Sequence, residues 1–136
     1  SAASDVYKRQ LPESVVRIDD YAFYGSESIK NVTLPQTLTY IGKAAFEGTG
    51  ITKVVLPERL TDIAEKMFLE CRKLESIYIP KAVQTIGKEA FKDCSLRDVY
   101  YGGNEEQWKQ LVRDHEELNY ITPHYNSSAL LATLSL

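Results

Sequence analysis

A repeat of about 23 residues is the feature that most constrains the fold of this chain. All four phenylalanines recur at this period, as do four isoleucines and four aliphatic residues that each precede a proline. The members are Phe23, Phe46, Phe68 and Phe91; Ile18, Ile41, Ile63 and Ile86; and Leu11, Leu34, Leu56 and Ile79. A fixed period of this kind is typical of solenoids, in which each repeat buries its apolar face against the next.

Each repeat contains one β-rich segment, namely 29–34, 51–56, 74–79 and 96–101. Apolar residues lie two apart at the ends of these segments, so they face the core while the residue between them faces water. Stacked turn on turn, the segments form a parallel sheet. Proline follows the first three and ends the strand, because it has no N–H to donate. Beyond it, a helical turn around Ala-Phe and a second short strand at the repeated isoleucine fit the pattern equally well.

The spacing divides the chain into four repeats with flanking segments. The repeats are predicted at 11–33, 34–55, 56–78 and 79–101, followed by a C-terminal cap at 102–126 and a tail at 127–136. Residues 1–10 match nothing downstream and form a non-repeat leader. Two origins stay open for this leader, either native or foreign to the protein.

The cap is predicted from helix signals that follow the fourth repeat. Gly102 stands where a proline would begin another repeat, and it breaks the strand. Asn104 is an N-cap residue with Gln107 at the third helical position, a pairing typical of a capping box. The helix is expected to lay Trp108 and Leu111 over the end of the fourth repeat, since a terminal repeat needs a lid.

The repeat unit resembles the leucine-rich repeat of the BspA-like bacterial surface-protein family over residues 11 to 101. The segments VYYGGNEEQWKQL and ITPHYN resemble the stretch that follows the last repeat in that family. The resemblance implies an α/β-type repeat solenoid, a leucine-rich repeat with a parallel β-sheet on the concave face and short turns or helical turns on the convex face. It also implies a bacterial secreted or cell-surface protein that functions in adhesion and protein binding.

Charge and hydropathy limit the partners. The formal net charge is -3, and no stretch collects Lys and Arg on one periodic face. This argues against nucleic acid and anionic membranes as partners. No apolar run approaches the roughly 18 residues of a membrane span, so membrane insertion is not expected. No signal peptide is visible within these residues.

Residues capable of catalysis or metal binding are few. Cys71 and Cys94 occupy the position that Ser26 holds in the first repeat, which favours packed free thiols, with a disulfide between stacked neighbours as the alternative. No C-x-x-C, Ser-His-Asp order, phosphate loop or H-E-x-x-H is present. His115 lies in a charged run and is expected to be solvated, whereas His124 is expected to be half-exposed in a closing strand. The sequence therefore predicts no catalytic site, no metal and no cofactor.

The outward residues of the predicted sheet are the candidate partner-binding residues. The central row is Thr33, Val55, Tyr78 and Tyr100, and the row beside it is Asn31, Lys53, Ser76 and Asp98. Two exposed tyrosines on adjacent strands are rigid amphipathic anchors of the kind that recognition surfaces use. The alternative is that β-branched and aromatic residues simply make good strand surface.

These observations favour a non-catalytic protein-binding or adhesion module of a bacterial secreted or cell-surface protein, binding through the concave sheet. The alternative is an intracellular protein-protein interaction scaffold, which unpaired cysteines would suit. An enzyme is disfavoured.

The N-terminal end of the array lacks an evident lid. Continuing the repeat upstream would require apolar residues at positions 6 and 9, and the chain has Val6 but Arg9. Either residues 6–11 add a strand to the open edge of 29–34, or a second molecule covers it. The tail 129–136 is also apolar enough to add itself to a neighbour's edge. We expect a homo-oligomer through the N-terminal end, because an isologous pair buries two open ends at once.

Overall fold

The computed structural model, which describes residues 8–135, winds the chain through successive turns of short strands. The strands are β1 (Lys8–Gln10), β2 (Arg17–Ile18), β3 (Asn31–Thr33), β4 (Tyr40–Ile41), β5 (Lys53–Val55), β6 (Asp62–Ile63), β7 (Ser76–Ile79), β8 (Thr85–Ile86) and β9 (Asp98–Tyr101). They are followed by helix α1 (Glu105–Leu111), a 3-10 turn (Glu116–Leu118) and helix α2 (Ala129–Ser135).

The strands form two parallel stacks on different sides of the coil. On the concave side β1 pairs with β3, and β5, β7 and β9 pair in that order. The N–H of Thr52 donates to the carbonyl of Lys30 at 3.2 Å and so links the β3 and β5 turns. On the other side β2 pairs with β4 and β6 with β8, each ending on a repeated isoleucine. Of the two alternatives for that segment, the structure therefore has the short strand at isoleucine, followed by turns around Ala-Phe.

The inward positions of the concave strands form the core. Val54, Ile77 and Val99 are buried at the same register, as the alternation predicts. The four phenylalanines stack in one column behind them, with centroid separations of 5.3, 5.8 and 5.4 Å and nearly parallel rings. The predicted phenylalanine column is confirmed.

A third set of contacts holds neighbouring turns together at the phenylalanines. The N–H of each of the first three Phe residues donates to the carbonyl of the residue before the next Phe, at 2.8 Å for Phe23 and Phe68 and 3.0 Å for Phe46. The backbone that makes this pairing has one left-handed residue on each side of every Phe. Left-handed φ values of 54 to 74° occur two residues before and two residues after each Phe, at Tyr21, Ala44, Lys66 and Glu89 and at Gly25, Gly48, Glu70 and Asp93.

The C-terminal cap has the predicted form. The side chain of Asn104 accepts from the N–H of Gln107, while the Gln107 side chain accepts from the N–H of Asn104, which completes a capping box. The indole of Trp108 is buried with its ring 5.2 Å from that of Tyr101, the last inward residue of β9. Leu111 packs at the edge of the same core. Helix α1 thereby covers the apolar end of the fourth repeat.

The N-terminal edge is extended by the leader. Residues 8–10 form β1 and pair in parallel with β3, with Arg9 opposite Val32. This corresponds to the first of the two predicted outcomes, an added strand. Val6 lies outside the described residues. Self-association through this end, and the segment boundaries given above, remain predictions.

The tail forms a helix, whereas the sequence suggested that it could pair with the sheet edge of a neighbouring molecule. Residues 129–135 form α2, because alanine and leucine favour helix and the N–H of Leu131 donates to the Ser128 hydroxyl at 3.1 Å in the first turn. The helix lies against the chain's own sheet, where it contacts β5, and Ala132 on it is completely buried.

The phenylalanine column leads to the first prediction. Phe46→Ala should lower the free energy of unfolding by about 3 to 5 kcal/mol, since it removes a fully buried ring with a stacked neighbour on each side. Urea denaturation followed by circular dichroism measures the loss. Phe23→Ala is the control and should cost less, because Phe23 is only partly buried. A loss for Phe46→Ala below about 1 kcal/mol would remove it from the core.

The left-handed residues lead to the second prediction. Glycine occupies the position two after Phe in the first two repeats, whereas Glu70 and Asp93 occupy it in the others. Glu70→Gly should raise the free energy of unfolding by about 0.5 to 1 kcal/mol, since left-handed backbone disfavours residues with a Cβ. Little opposes this gain, because Glu70 contacts Arg72 only at 3.9 Å on the surface. The matched control Glu75→Gly, at an exposed residue without positive φ, should be destabilising. Equal effects for the two variants would contradict the strain argument.

Candidate binding surface on the concave sheet

The candidate residues lie on four neighbouring turns of the concave side, on β3 of the sheet β1-β3 and on the three strands of the sheet β5-β7-β9. In register across the strands, Val55 faces Tyr78 and Tyr78 faces Tyr100, while Lys53, Ser76 and Asp98 form the adjacent row. Asn31 and Thr33 lie on β3, the next concave strand toward the N-terminus. The repeat period thus brings together side chains that lie one or more full repeats apart in sequence.

Tyr78 was expected to be exposed, and this expectation is wrong. Its side chain is only 2% exposed, and its hydroxyl donates to Glu58 Oε1 at 2.8 Å. The turn after β9 closes over it, since a Cβ at Gly102 would lie 3.2 Å from the Tyr78 hydroxyl. Burial, and then the hydrogen bond to Glu58, raise the pKa of Tyr78 above its usual range. Tyr78 is therefore part of the packed sheet surface and not a free anchor.

Tyr100 is partly covered by the cap. The ring of His124 stacks on Tyr100 with 4.5 Å between centroids, and His124 Nε2 lies 3.8 Å from the Asp98 carboxylate. The backbone of His124 bridges β9, donating to the carbonyl of Val99 at 2.8 Å and accepting from the N–H of Tyr101 at 2.9 Å. The closing strand expected around ITPHYN is thus a single parallel bridge. It occupies the last edge of the concave sheet and places His124, as expected, in a partly exposed structural position.

The N-terminal part of the candidate surface is open. A groove of about 710 Å³ lies over β3 and β5 with α2 as one wall. Its lining includes Asn31, Thr33, Gln36, Lys53, Val55 and Leu130, and these residues are called the open groove below. The side chain of Leu130 is 71% exposed. Four of the eight candidates therefore line the groove, whereas the other four lie toward the cap.

Sequence reasoning missed Gln36 and the contribution of α2. Gln36 is the residue directly after the Leu-Pro that ends the β3 segment, where the repeat pattern predicts no outward strand position. Its side chain accepts from the N–H of Glu58 at 3.1 Å, which fixes it at the groove rim. The signal for α2 was present in the small residues Ala129 and Ala132, which lie three apart on one helix face.

The two cysteines connect neighbouring repeats. Cys71 Sγ donates to the carbonyl of Phe46 at 2.9 Å and lies 3.4 Å from the Thr49 hydroxyl. Cys94 Sγ donates to the carbonyl of Phe68 at 3.1 Å, and both are free thiols. Burial raises the pKa of each thiol and so disfavours the nucleophilic thiolate. The two thiols thus bond neighbouring turns to each other through their S–H groups.

His115 differs from the solvated side chain that was expected. Its side chain is 14% exposed, and Nδ1 lies 3.5 Å from a Glu117 carboxylate oxygen, because the 3-10 turn folds the charged run back on itself. Across residues 8–135, His, Cys, Asp and Glu side chains do not gather in threes around a point where a metal ion could bind. No helix within that range is long and apolar enough to cross a membrane.

A parallel sheet built from one strand per repeat, with an apolar column behind it, defines a leucine-rich-repeat solenoid. Residues 2–112 match the BspA type leucine rich repeat region in six copies. The chain therefore belongs to the BspA-type leucine-rich-repeat family, whose repeats are generally non-catalytic. The match begins ahead of Leu11 and extends to the residue after α1, so it covers more of the chain than the four predicted repeats.

Solved structures of bacterial leucine-rich-repeat proteins resemble this fold. A leucine-rich repeat protein from Bacteroides ovatus is 27% identical with a TM-score of 0.70, covering 86% of this chain and 30% of that one. A leucine rich cell surface protein from Faecalibacterium prausnitzii is 26% identical with a TM-score of 0.58, covering 76% and 34%. A leucine rich repeat protein from T. pallidum shares the fold at 20% identity and a TM-score of 0.58, covering 94% and 81%. The chain spans about a third of the first two proteins. No curated protein matches it.

The thiol environment leads to the third prediction. Both cysteines should react slowly with a thiol reagent at pH 8 in the native protein and completely after denaturation, with the less buried Cys94 reacting first. Folding raises the pKa of both thiols. The stabilisation that the two buried thiols contribute is therefore fully present below the unfolded pKa of about 8.5, and it is lost as the pH rises above that value. The control is Cys94→Ser, which leaves Cys71 as the only cysteine. Serine is chosen because Ser26 holds the equivalent position in the first repeat. A linked pair in mass analysis of the native protein would contradict the prediction.

Proposed function

We propose that this chain is a non-catalytic protein-binding module of a bacterial secreted or cell-surface protein, and that it binds through the open groove of the concave sheet. The observation that carries the proposal is the groove itself. Thr33, Val55 and Leu130 offer exposed or part-exposed contact surface there, and Asn31 and Gln36 add amide groups at the rim. Repeat solenoids use such concave sheets for binding, because neighbouring repeats align side chains in rows.

The surface location is supported by relatives. The similar protein from Faecalibacterium prausnitzii is described as a leucine rich cell surface protein, and its fold resembles that of this chain. Adhesion is the role that we propose for this module, since a concave sheet aligned across neighbouring repeats presents an extended binding surface.

An intracellular interaction scaffold is the second candidate. The free thiols of Cys71 and Cys94 are the observation that favours it, because unpaired cysteines suit a reducing compartment. Protease digestion of intact cells that produce the parent protein separates the two. Cleavage of this module without lysis supports the surface location, and protection until lysis supports the scaffold.

The binding proposal is the fourth prediction and can be tested without knowing the natural partner. A displayed library of random peptides is selected on the immobilised full chain, and the peptides obtained are then titrated against variants. Thr33→Arg places a long charged side chain in the open groove and should weaken the selected peptides at least tenfold. The matched control is Thr122→Arg, at an exposed cap residue outside the groove, and it should leave affinity unchanged. Equal binding to both variants would place the recognition surface elsewhere.

The tyrosines are unsuitable for this test. Tyr78→Ala would remove a buried ring and its bond to Glu58, so a loss of binding could not be separated from a loss of stability. Thr33 is exposed at the sheet surface, which makes its replacement compatible with the fold.

A further inference from the structure

We propose that the surface around the turn at Phe23 is a self-association site, at which two copies of this chain meet across a two-fold axis. The exposed side chains of this surface are called the first-turn patch, and they are Val16, Tyr21, Tyr24 and Tyr40. None of them lines the open groove, so this inference is independent of the function proposed above.

The first-turn patch holds much of the exposed apolar surface of residues 8–135. Seven large hydrophobic side chains in that range are exposed, and four of them belong to the patch, with exposed fractions of 42 to 56%. A concentration of exposed apolar side chains on one part of a protein surface marks an interaction site.

The members of the patch are neighbours in space. The rings of Tyr21 and Tyr24 lie edge to face with 5.9 Å between their centroids. The hydroxyl of Tyr40 donates at 3.2 Å to Asp20, the residue directly before Tyr21. The arginine that follows Val16 lies over the Tyr40 ring, with 4.5 Å between its guanidinium carbon and the ring centroid. The four side chains therefore form one continuous surface.

The repeat itself does not require apolar residues at the patch positions. The position after Phe carries Tyr24, Glu47, Leu69 and Lys92 in the four turns, the position two before Phe carries Tyr21, Ala44, Lys66 and Glu89, and the position two before the repeated isoleucine carries Val16, Thr39, Thr61 and Gln84. Of the nine residues in the later turns only Leu69 is large and apolar, whereas all three in the first turn are. The apolar character of the patch therefore belongs to the first turn alone, and contact with a partner explains it where folding does not.

The backbone edge beside the patch offers hydrogen-bond acceptors only. At the junction with the second turn, three N–H groups of the first turn donate to carbonyls at 2.8 to 2.9 Å, namely Tyr21 to Lys43, Phe23 to Ala45 and Gly25 to Glu47. The two later junctions repeat this arrangement. The carbonyls at the matching positions of the first turn are those of Asp20, Ala22 and Tyr24, and among residues 8–135 no group donates to them.

A second copy supplies the donors that this edge needs. The hydroxyls of Tyr21 and Tyr24 make no hydrogen bond within the described part of the chain, and a phenol donates as well as accepts. Two identical carbonyl rows cannot bond to each other, because both only accept. Phenols of each copy that donate to the carbonyl row of the other satisfy both copies, and this exchange has the reciprocity that a two-fold interface requires.

The charges at the rim of the patch are also self-complementary. Arg17 and Asp19 lie 2.7 Å apart, with side chains that are 60% and 76% exposed. A surface that carries both signs side by side meets an identical copy with opposite charges across the axis. A strongly acidic or basic partner would instead place a like charge against one of the two residues, which is unfavourable. These charges therefore favour a second copy of this chain as the partner.

The size of the patch sets the strength of the association. An aromatic side chain buries about 150 to 250 Å². Four side chains that are about half exposed therefore cover on the order of 400 Å² per copy, whereas a stable interface takes about 800 Å² per partner. We expect a weak dimer, with a dissociation constant of roughly 100 µM.

Sedimentation equilibrium of the full chain measures this association over a range of about 10 to 500 µM, around the expected dissociation constant. The main variant combines Tyr21→Glu with Tyr24→Glu. Glutamate is compatible with the fold at both positions, because Glu89 and Glu47 hold them in other turns. The double variant should raise the dissociation constant by a factor of about ten or more, since four carboxylates then meet at the axis.

Two further variants separate the phenol donors from the rings and provide the control. Tyr21→Phe combined with Tyr24→Phe keeps both rings but removes both donors, and it should raise the dissociation constant by a factor of about three or more. Tyr120→Glu changes a tyrosine of the cap that is 68% exposed and lies outside the patch. This control should leave the association unchanged.

Cross-linking locates the contact. A photoreactive benzoylphenylalanine at position 24 is irradiated in an equal mixture of isotopically light and heavy chains. Cross-links between a light and a heavy chain that end on residues 16–24 or on Tyr40 are the expected result. The proposal is overturned by a chain that stays monomeric over the whole range, or by a glutamate or phenylalanine double variant that associates as tightly as the original chain. Cross-links that end elsewhere, including on the chain's own residues 1–10, overturn it as well.

Discussion

The contact between one turn and the next is the interaction on which the whole molecule depends. A single turn of this chain is a loop too short to bury its own apolar side chains. The rings of Phe23, Phe46, Phe68 and Phe91 therefore stack on one another, and the first three of these residues also donate their N–H to the turn that follows. Because each contact joins only neighbours, stability accumulates along the array and every interior turn needs both of its neighbours.

Such an array must end, and the way it ends shapes the binding surface. At the C-terminus, Trp108 covers the core and the backbone of His124 occupies the edge of β9. The same cap places the His124 ring against Tyr100, while Gly102 closes over the hydroxyl of Tyr78. The C-terminal cap thus covers the aromatic part of the concave sheet. What stays open is the side nearer the N-terminus, where the residues are smaller and α2 forms a wall.

The turns at phenylalanine show how this fold tolerates unfavourable backbone. Each turn needs left-handed residues on both sides of Phe so that its N–H and carbonyl groups point along the array. Glycine meets this need at Gly25 and Gly48, whereas Glu70 and Asp93 adopt the same conformation with a side chain present. The inter-turn hydrogen bonds, together with the stacked rings, hold these residues there. The contacts between neighbouring turns thus outweigh the local conformational preference of Glu70 and Asp93.

The sequence by itself determined the fold, because side chains that are buried once per repeat recur in the sequence at the period of the repeat. The spacing of phenylalanine, isoleucine and Leu-Pro is sufficient to predict the parallel sheet, the ring column and the strand faces, and Asn104 with Gln107 is sufficient to predict the cap. The exposure of particular surface residues was decided only by the tertiary structure. Tyr78 occupies an outward strand position in the repeat pattern, yet it is buried because Glu58, earlier in its own repeat, and Gly102, in the cap, contact its hydroxyl end. The groove likewise exists because α2 returns to lie on β5. Contacts that are not repeated from one turn to the next leave no periodic signal, so they become visible only once the chain is folded.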